Sequence, residues 1–67
     1  MAKLTNKFSA HLPEIWDAIE GQTDMRSSNQ KLYKKIYKYY KHAGVIFTGD
    51  SDMDYNVIIN YLYEDAS

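Results

Sequence analysis

The stretch KLYKKIYKYYKH, from Lys31 to His42, crowds five lysines and four tyrosines together, and a helix is the regular conformation that sorts them. At about 100° per residue, Lys31, Lys34, Lys35, Lys38, Lys41 and His42 fall within roughly a third of the circumference. Leu32, Ile36, Tyr39 and Ala43 follow the i, i+4, i+7, i+11 spacing of an apolar seam, and Tyr33, Tyr37 and Tyr40 widen that side. Ser27, Ser28 and Asn29 are N-cap candidates ahead of it, and Gly44 suits the left-handed C-terminal stop. Lysines in the last turn favour the negative end of the helix dipole. The sequence therefore predicts an amphipathic helix over about 28–43, with one cationic and one aromatic side.

The chain has 67 residues, room for one domain with one small core, so residues 1–67 are read as a single unit. It has no cysteine. Disulfides and thiolate zinc sites are thereby excluded, and the two histidines cannot build a structural zinc site alone. Hydrophobic content of 45% with 25% charged residues is the balance of a folded soluble domain. No apolar run approaches the ~20 residues of a membrane span, and MAKLTNKF leads into no apolar signal segment. A cytoplasmic location without membrane partners is the expectation.

Upstream, residues 1–12 have weak periodicity, with Leu4, Phe8 and Leu12 spaced by four, and are expected to form an arm or short helix. Pro13 suits a helix's first turn, and Ile15, Trp16 and Ile19 give an apolar face before Gly21 stops it. A helix over about 13–20 follows, with Glu14, Asp17 and Glu20 on its polar side and Trp16 as the central core residue. A polar linker, Gly21 to Ser28, joins it to the basic helix.

Beyond Gly44 two readings compete. Val45 to Thr48 is β-branched and aromatic, and a turn-rich GDSD follows. In the next segment Tyr55, Val57, Ile59, Tyr61 and Tyr63 alternate with Asn56, Ile58, Asn60, Leu62 and Glu64, as strand residues do. A C-terminal β-hairpin of about 45–48 and 55–63, giving an α+β domain, is the preferred expectation. The alternative is an all-α three-helix bundle with a third helix over about 52–64, capped by Asp50 or Ser51. In that case apolar residues spread almost all round the helix, and a small domain hides them by oligomerising or binding a partner.

Two helices, the second basic, followed by a hairpin resemble in order a winged helix. The resemblance covers roughly residues 13–63 and rests on element order. It implies DNA binding, with Ser28, Asn29, Lys31, Lys34, Lys35 and Lys38 facing the groove or its phosphates. The linker before the basic helix is longer than the usual turn, and the wing tip would carry Asp50, Asp52 and Asp54. Lysine without arginine in the stripe also argues against specific base reading, since the sole arginine, Arg26, lies outside it.

Asp50, Asp52 and Asp54 open like an EF-hand calcium loop, but Tyr55 stands where glycine is needed and Tyr61 where the bidentate glutamate belongs. No metal site is expected there. Nothing around His11 or His42 forms a nucleophile elbow, a metal-binding pair or a phosphate loop, so neither catalytic residues nor cofactors are assigned.

Seven tyrosines in this short chain exceed the needs of a small core, and each phenol wants water or a partner. Tyrosines beside cations are a composition of recognition surfaces. The expected function is accordingly that of a small non-enzymatic regulator that binds another protein, modulating a larger machinery, with a homodimer as a further expectation. Tyr33, Tyr37, Tyr40, Tyr55, Tyr61 and Tyr63 are its candidate contacts. Lys31, Lys34, Lys35, Lys38 and Lys41 are candidates for an acidic partner or, in the DNA-binding alternative, for nucleic acid.

Overall fold

Pro13 sits in the first turn of helix α1, Leu12–Ile19, where its missing N–H costs nothing. The computed structural model describes residues 8–66, so most of the expected N-terminal arm lies outside the described residues. From that stretch, Phe8 is buried and Ser9–His11 form a single 3-10 turn leading into α1. Ile15 and Ala18 turn inward, and the helix ends in a paired capping arrangement: Gly21 N–H bonds to Ala18 C=O and Gln22 N–H to Asp17 C=O. Gly21 supplies the positive φ of 82° that this stop requires.

Residues 21–28, expected to be linker throughout, contain a short helix. In α2, Met25–Ser28, the Asp24 side chain accepts from Arg26 N–H, and Met25 is completely buried. Asn29 then breaks the helical path with φ −155° and ψ 80°. Its side chain accepts from Leu32 N–H at 3.1 Å and so starts α3, Gln30–His42. Asn29 also donates to Glu14 on α1 at 2.8 Å, which ties the two helices together. The expected start at Ser28 is thus displaced by two residues because Asn29, not a serine, is the cap.

Within α3 the buried line is Leu32, Ile36 and Tyr40. This shifts the expected seam: Tyr39 is half-buried, Ala43 is exposed, and Tyr40 takes the core position that continues the four-residue step from Ile36. The helix stops as α1 does, with Gly44 N–H on Lys41 C=O and Val45 N–H on Tyr40 C=O.

The expected β-hairpin is absent, and the resemblance to a winged helix falls with it. Among the described residues there is no strand, and the architecture is all-α. Residues 45–48 are irregular, and Ser51–Ala66 form a single helix, α4, longer at both ends than the 52–64 of the alternative reading. The physical reason lies in the backbone donors. Val45 N–H is spent closing α3, and Thr48 and Gly49 N–H both bond to the Asp54 carboxylate. Those groups cannot also serve a ladder. Asp50 caps α4 by accepting from Met53 N–H at 3.0 Å, and Asp54, Ile58 and Leu62 form one buried line at helical spacing. That burial outweighs the strand preference of the tyrosines and β-branched residues.

The core is Phe8, Ile15, Ala18, Met25, Leu32, Ile36, Tyr40, Ile58 and Leu62. Trp16, expected at its centre, is half-buried at the rim, edge-on to Tyr63 at 6.3 Å.

Candidate interaction surface

All five lysines of α3 are exposed, and among the described residues none takes part in an ion pair. They stand in one stripe because Leu32, Ile36 and Tyr40 fix the opposite side of the helix against the core. From Lys31 to Lys41 the stripe runs about 15 Å along the axis. Beside it, Lys35, Lys38, Tyr39, His42 and Ala43 line an open depression of about 570 Å³. The stripe borders no carboxylate of its own helix, since α3 contains none.

The six candidate tyrosines do not form one surface. Tyr40 is buried, and its hydroxyl donates to Asp65 Oδ2 at 2.5 Å. Burial, reinforced by that bond to a carboxylate, pushes its phenol far above the ordinary value. Tyr37 stacks on Phe47 with centroids 4.1 Å apart, and Tyr33 lies against both Tyr37 and Tyr55. Burial raises the Tyr33 phenol as well. The Tyr55 hydroxyl accepts from Met25 N–H at 3.1 Å. Tyr61 and Tyr63 retain 45% and 58% exposure, one beside Tyr40 and the other beside Trp16. Four of the six candidates therefore work largely within the fold, and two, Tyr61 and Tyr63, keep about half of their surface exposed.

A residue that spacing did not single out organises the opposite end. Arg26 reaches Asp24 Oδ2 with Nη2 at 2.6 Å, and its Nη1 reaches Ser51 Oγ at 2.9 Å and Asp52 Oδ1 at 2.8 Å. Its hydrogen bonds to Asp24, then to Asp52, hold the guanidinium still more firmly protonated, and they keep the Asp24 carboxyl below its usual range. The available signal was the Asp24-x-Arg26 spacing, which pairs a cap with a cation.

The aspartates of the acidic turn have separate tasks. Asp50 caps α4, Asp52 meets Arg26, and buried Asp54 accepts from Thr48 N–H, Thr48 Oγ and Gly49 N–H at 2.8, 2.9 and 3.0 Å. Those donors, led by the Thr48 amide, hold its carboxyl below the ordinary value against the opposing effect of burial. On α1, His11 Nδ1 is 3.2 Å from Glu14 Oε1. The Asn29 side chain, and after it His11, lowers the Glu14 carboxyl.

Comparison with protein-family models, curated proteins and solved structures gives no match. Among the described residues, no helix is long and apolar enough to cross a membrane.

Proposed function

We propose that this protein is a small non-enzymatic binding module that regulates a larger assembly by docking on an acidic face of another protein. The observation that carries this reading is the α3 stripe: five exposed lysines on one side of a packed helix, with no ion pair among the described residues. A helix held by its buried side presents those charges at fixed spacing, which steers association and suppresses wrongly charged partners. Carboxylates suit lysine's compact ammonium as single charges, with no need for the arginine fork. Aromatic contact in this reading narrows to Tyr61 and Tyr63, because they are exposed whereas Tyr40 is buried and Tyr33, Tyr37 and Tyr55 are half-buried. The nucleic-acid alternative keeps the basic helix but has no wing, since residues 55–63 belong to α4.

The test uses a fluorescent oligoglutamate peptide and a DNA duplex of matched charge, each titrated at about 50 and about 200 mM salt. The peptide is expected to bind more tightly than the duplex and to weaken with salt. The double variant Lys35→Glu, Lys38→Glu is expected to lower its affinity at least about tenfold, roughly 1.4 kcal/mol. Tighter binding to the duplex, or indifference to the double variant, would overturn the reading.

A further inference from the structure

The rim between α1 and α4 holds an aromatic pair flanked by two carboxylates. Trp16 of α1 and Tyr63 of α4 meet edge-on, with centroids 6.3 Å apart and ring planes at 71°. Tyr63 is 58% exposed and Trp16 is half-buried. The indole N–H has no acceptor among the described residues and is not buried, so it is open to a partner's carbonyl. Glu20 stands at i+4 from Trp16 and at i+3 from Asp17. Both carboxylates are therefore neighbours on the outer side of α1, with Glu20 next to the indole.

Asp17 and Glu20 are exposed, and among the described residues neither enters an ion pair or a side-chain hydrogen bond. Their placement works against the helix. They repel each other at i, i+3, and they occupy the last turn and the C-cap of α1, the negative end of its dipole, where the helix carries no basic residue. A cation brought there relieves both effects. The same set of groups is complete at the other end of the fold, where Arg26 lies 4.4 Å from the Tyr55 ring centroid and bonds to Asp24 and Asp52. The rim of α1 and α4 has the rings and the two carboxylates and lacks the guanidinium.

We propose that Trp16, Tyr63, Asp17 and Glu20 form a docking site for an arginine-bearing segment of another protein. The guanidinium lies against the indole while its fork engages Glu20, and Asp17 adds to the attraction. A lysine offers a point charge without the planar face or the fork. A second copy of this chain is a poor occupant for that reason: its sole arginine, Arg26, is held by Asp24, Asp52 and Tyr55, and its α3 stripe supplies lysines alone. Nucleic acid does not fit, since the two carboxylates repel phosphate. The site goes beyond the lysine stripe, because no residue of α3 belongs to it, and it specifies what the exposed Tyr63 ring meets.

Trp16 is the sole tryptophan of the chain, so its indole N–H resonance and its fluorescence report directly on this site. The test titrates three Gly/Ser peptides into 15N-labelled protein, carrying a central pair of arginines, of lysines or of neutral citrullines. The arginine peptide is expected to shift the Trp16 indole resonance and amides around residues 16–20 and 60–63. The lysine peptide should bind at least about threefold more weakly, and the citrulline peptide should produce no shift. The double variant Asp17→Asn, Glu20→Gln is expected to weaken the arginine peptide at least about fivefold. Its thermal midpoint should not fall, because both side chains are exposed and their repulsion is removed. Tyr63→Ser is expected to weaken the same peptide while leaving the fold in place. Lys35→Glu with Lys38→Glu should not weaken it, so the outcome is independent of the oligoglutamate experiment. The proposal is overturned by no shift at Trp16, by equal binding of the lysine or citrulline peptide, or by indifference to the double variant. It is equally overturned if the Trp16 resonance of the free protein moves with concentration alongside a dimer in sedimentation, since the occupant is then a second copy.

Discussion

The guanidinium carbon of Arg26 lies 4.4 Å from the centroid of the Tyr55 ring. The same guanidinium bonds to Asp24 on one side and to Ser51 and Asp52 on the other, while the Tyr55 hydroxyl accepts from Met25 N–H. One cation and one phenol thereby join the cap of α2 to the start of α4. This is the means by which a helix of a single turn, too short to persist alone, keeps Met25 in the core.

Replacing Arg26 tests that joint. Arg26→Ala is expected to lower the thermal midpoint by about 5 °C, followed by circular dichroism at 222 nm. Arg26→Lys should recover little, because an ammonium cannot reproduce the fork toward Asp24 while also lying over the Tyr55 ring. Raised salt should narrow the difference only in part, since the ring contact survives screening.

Tyr40 belongs to the core rather than to a partner surface, so its truncation should read out in folding. Tyr40→Phe leaves the ring in place and removes the donor to Asp65. The expected loss is about 1–2 kcal/mol in denaturant titrations at neutral pH, that of a hydrogen bond to a charged group. The sign with pH follows from the raised phenol. Stability from Tyr40 is fully present below its ordinary value of 10.0 and is lost as pH rises through the higher folded value. The variant should therefore unfold less steeply on the alkaline side than the parent.

Much of the helical plan was legible because local signals carry it. Pro13, Gly21, Asn29 and Gly44 mark helix ends through their own backbone preferences, and the lysine stripe follows from spacing alone. The hairpin was misread because Tyr55, Val57, Ile59, Tyr61 and Tyr63 favour strands individually. What overrides them is the burial of Ile58 and Leu62 in the core, together with a local contact in which the Asp54 carboxylate claims the Thr48 and Gly49 N–H groups. The tyrosines were illegible for another reason. Tyr39 and Tyr40 are adjacent and chemically identical, so periodicity alone could not place the seam on Tyr40, and a phenol serves core and surface equally well.

Gly44 closes α3 with φ +102°, a conformation that L side chains rarely adopt, although a Cβ there would meet nothing within 4 Å. Gly44→Ala is therefore expected to cost about 1–2 kcal/mol through backbone strain alone, without steric rearrangement. Chemical denaturation should show a lower midpoint with an unchanged slope. Gly44→Asn should recover part of the loss, since asparagine tolerates positive φ better than alanine.

Asp54 sets the acid limit of the fold. Its carboxyl is held low by the Thr48 amide, the Thr48 hydroxyl and the Gly49 amide, and Asp24 and Glu14 are lowered by Arg26 and Asn29. A group with a depressed folded value stabilises above its unfolded value and loses that contribution as pH falls through the folded one. Stability is therefore expected to be flat from about pH 7 to 5 and to fall below about pH 4, the ordinary carboxylate range. Asp54→Asn retains one acceptor but turns an amide donor toward one of the two backbone N–H groups, that of Thr48 on Oδ1 or that of Gly49 on Oδ2. At neutral pH it should lower the thermal midpoint by about 5–10 °C. Between about pH 4 and 2 its slope should be shallower than the parent's, because one depressed carboxylate no longer titrates. Parallel acid limbs for parent and variant would show that the Thr48–Gly49 turn does not depend on the Asp54 charge.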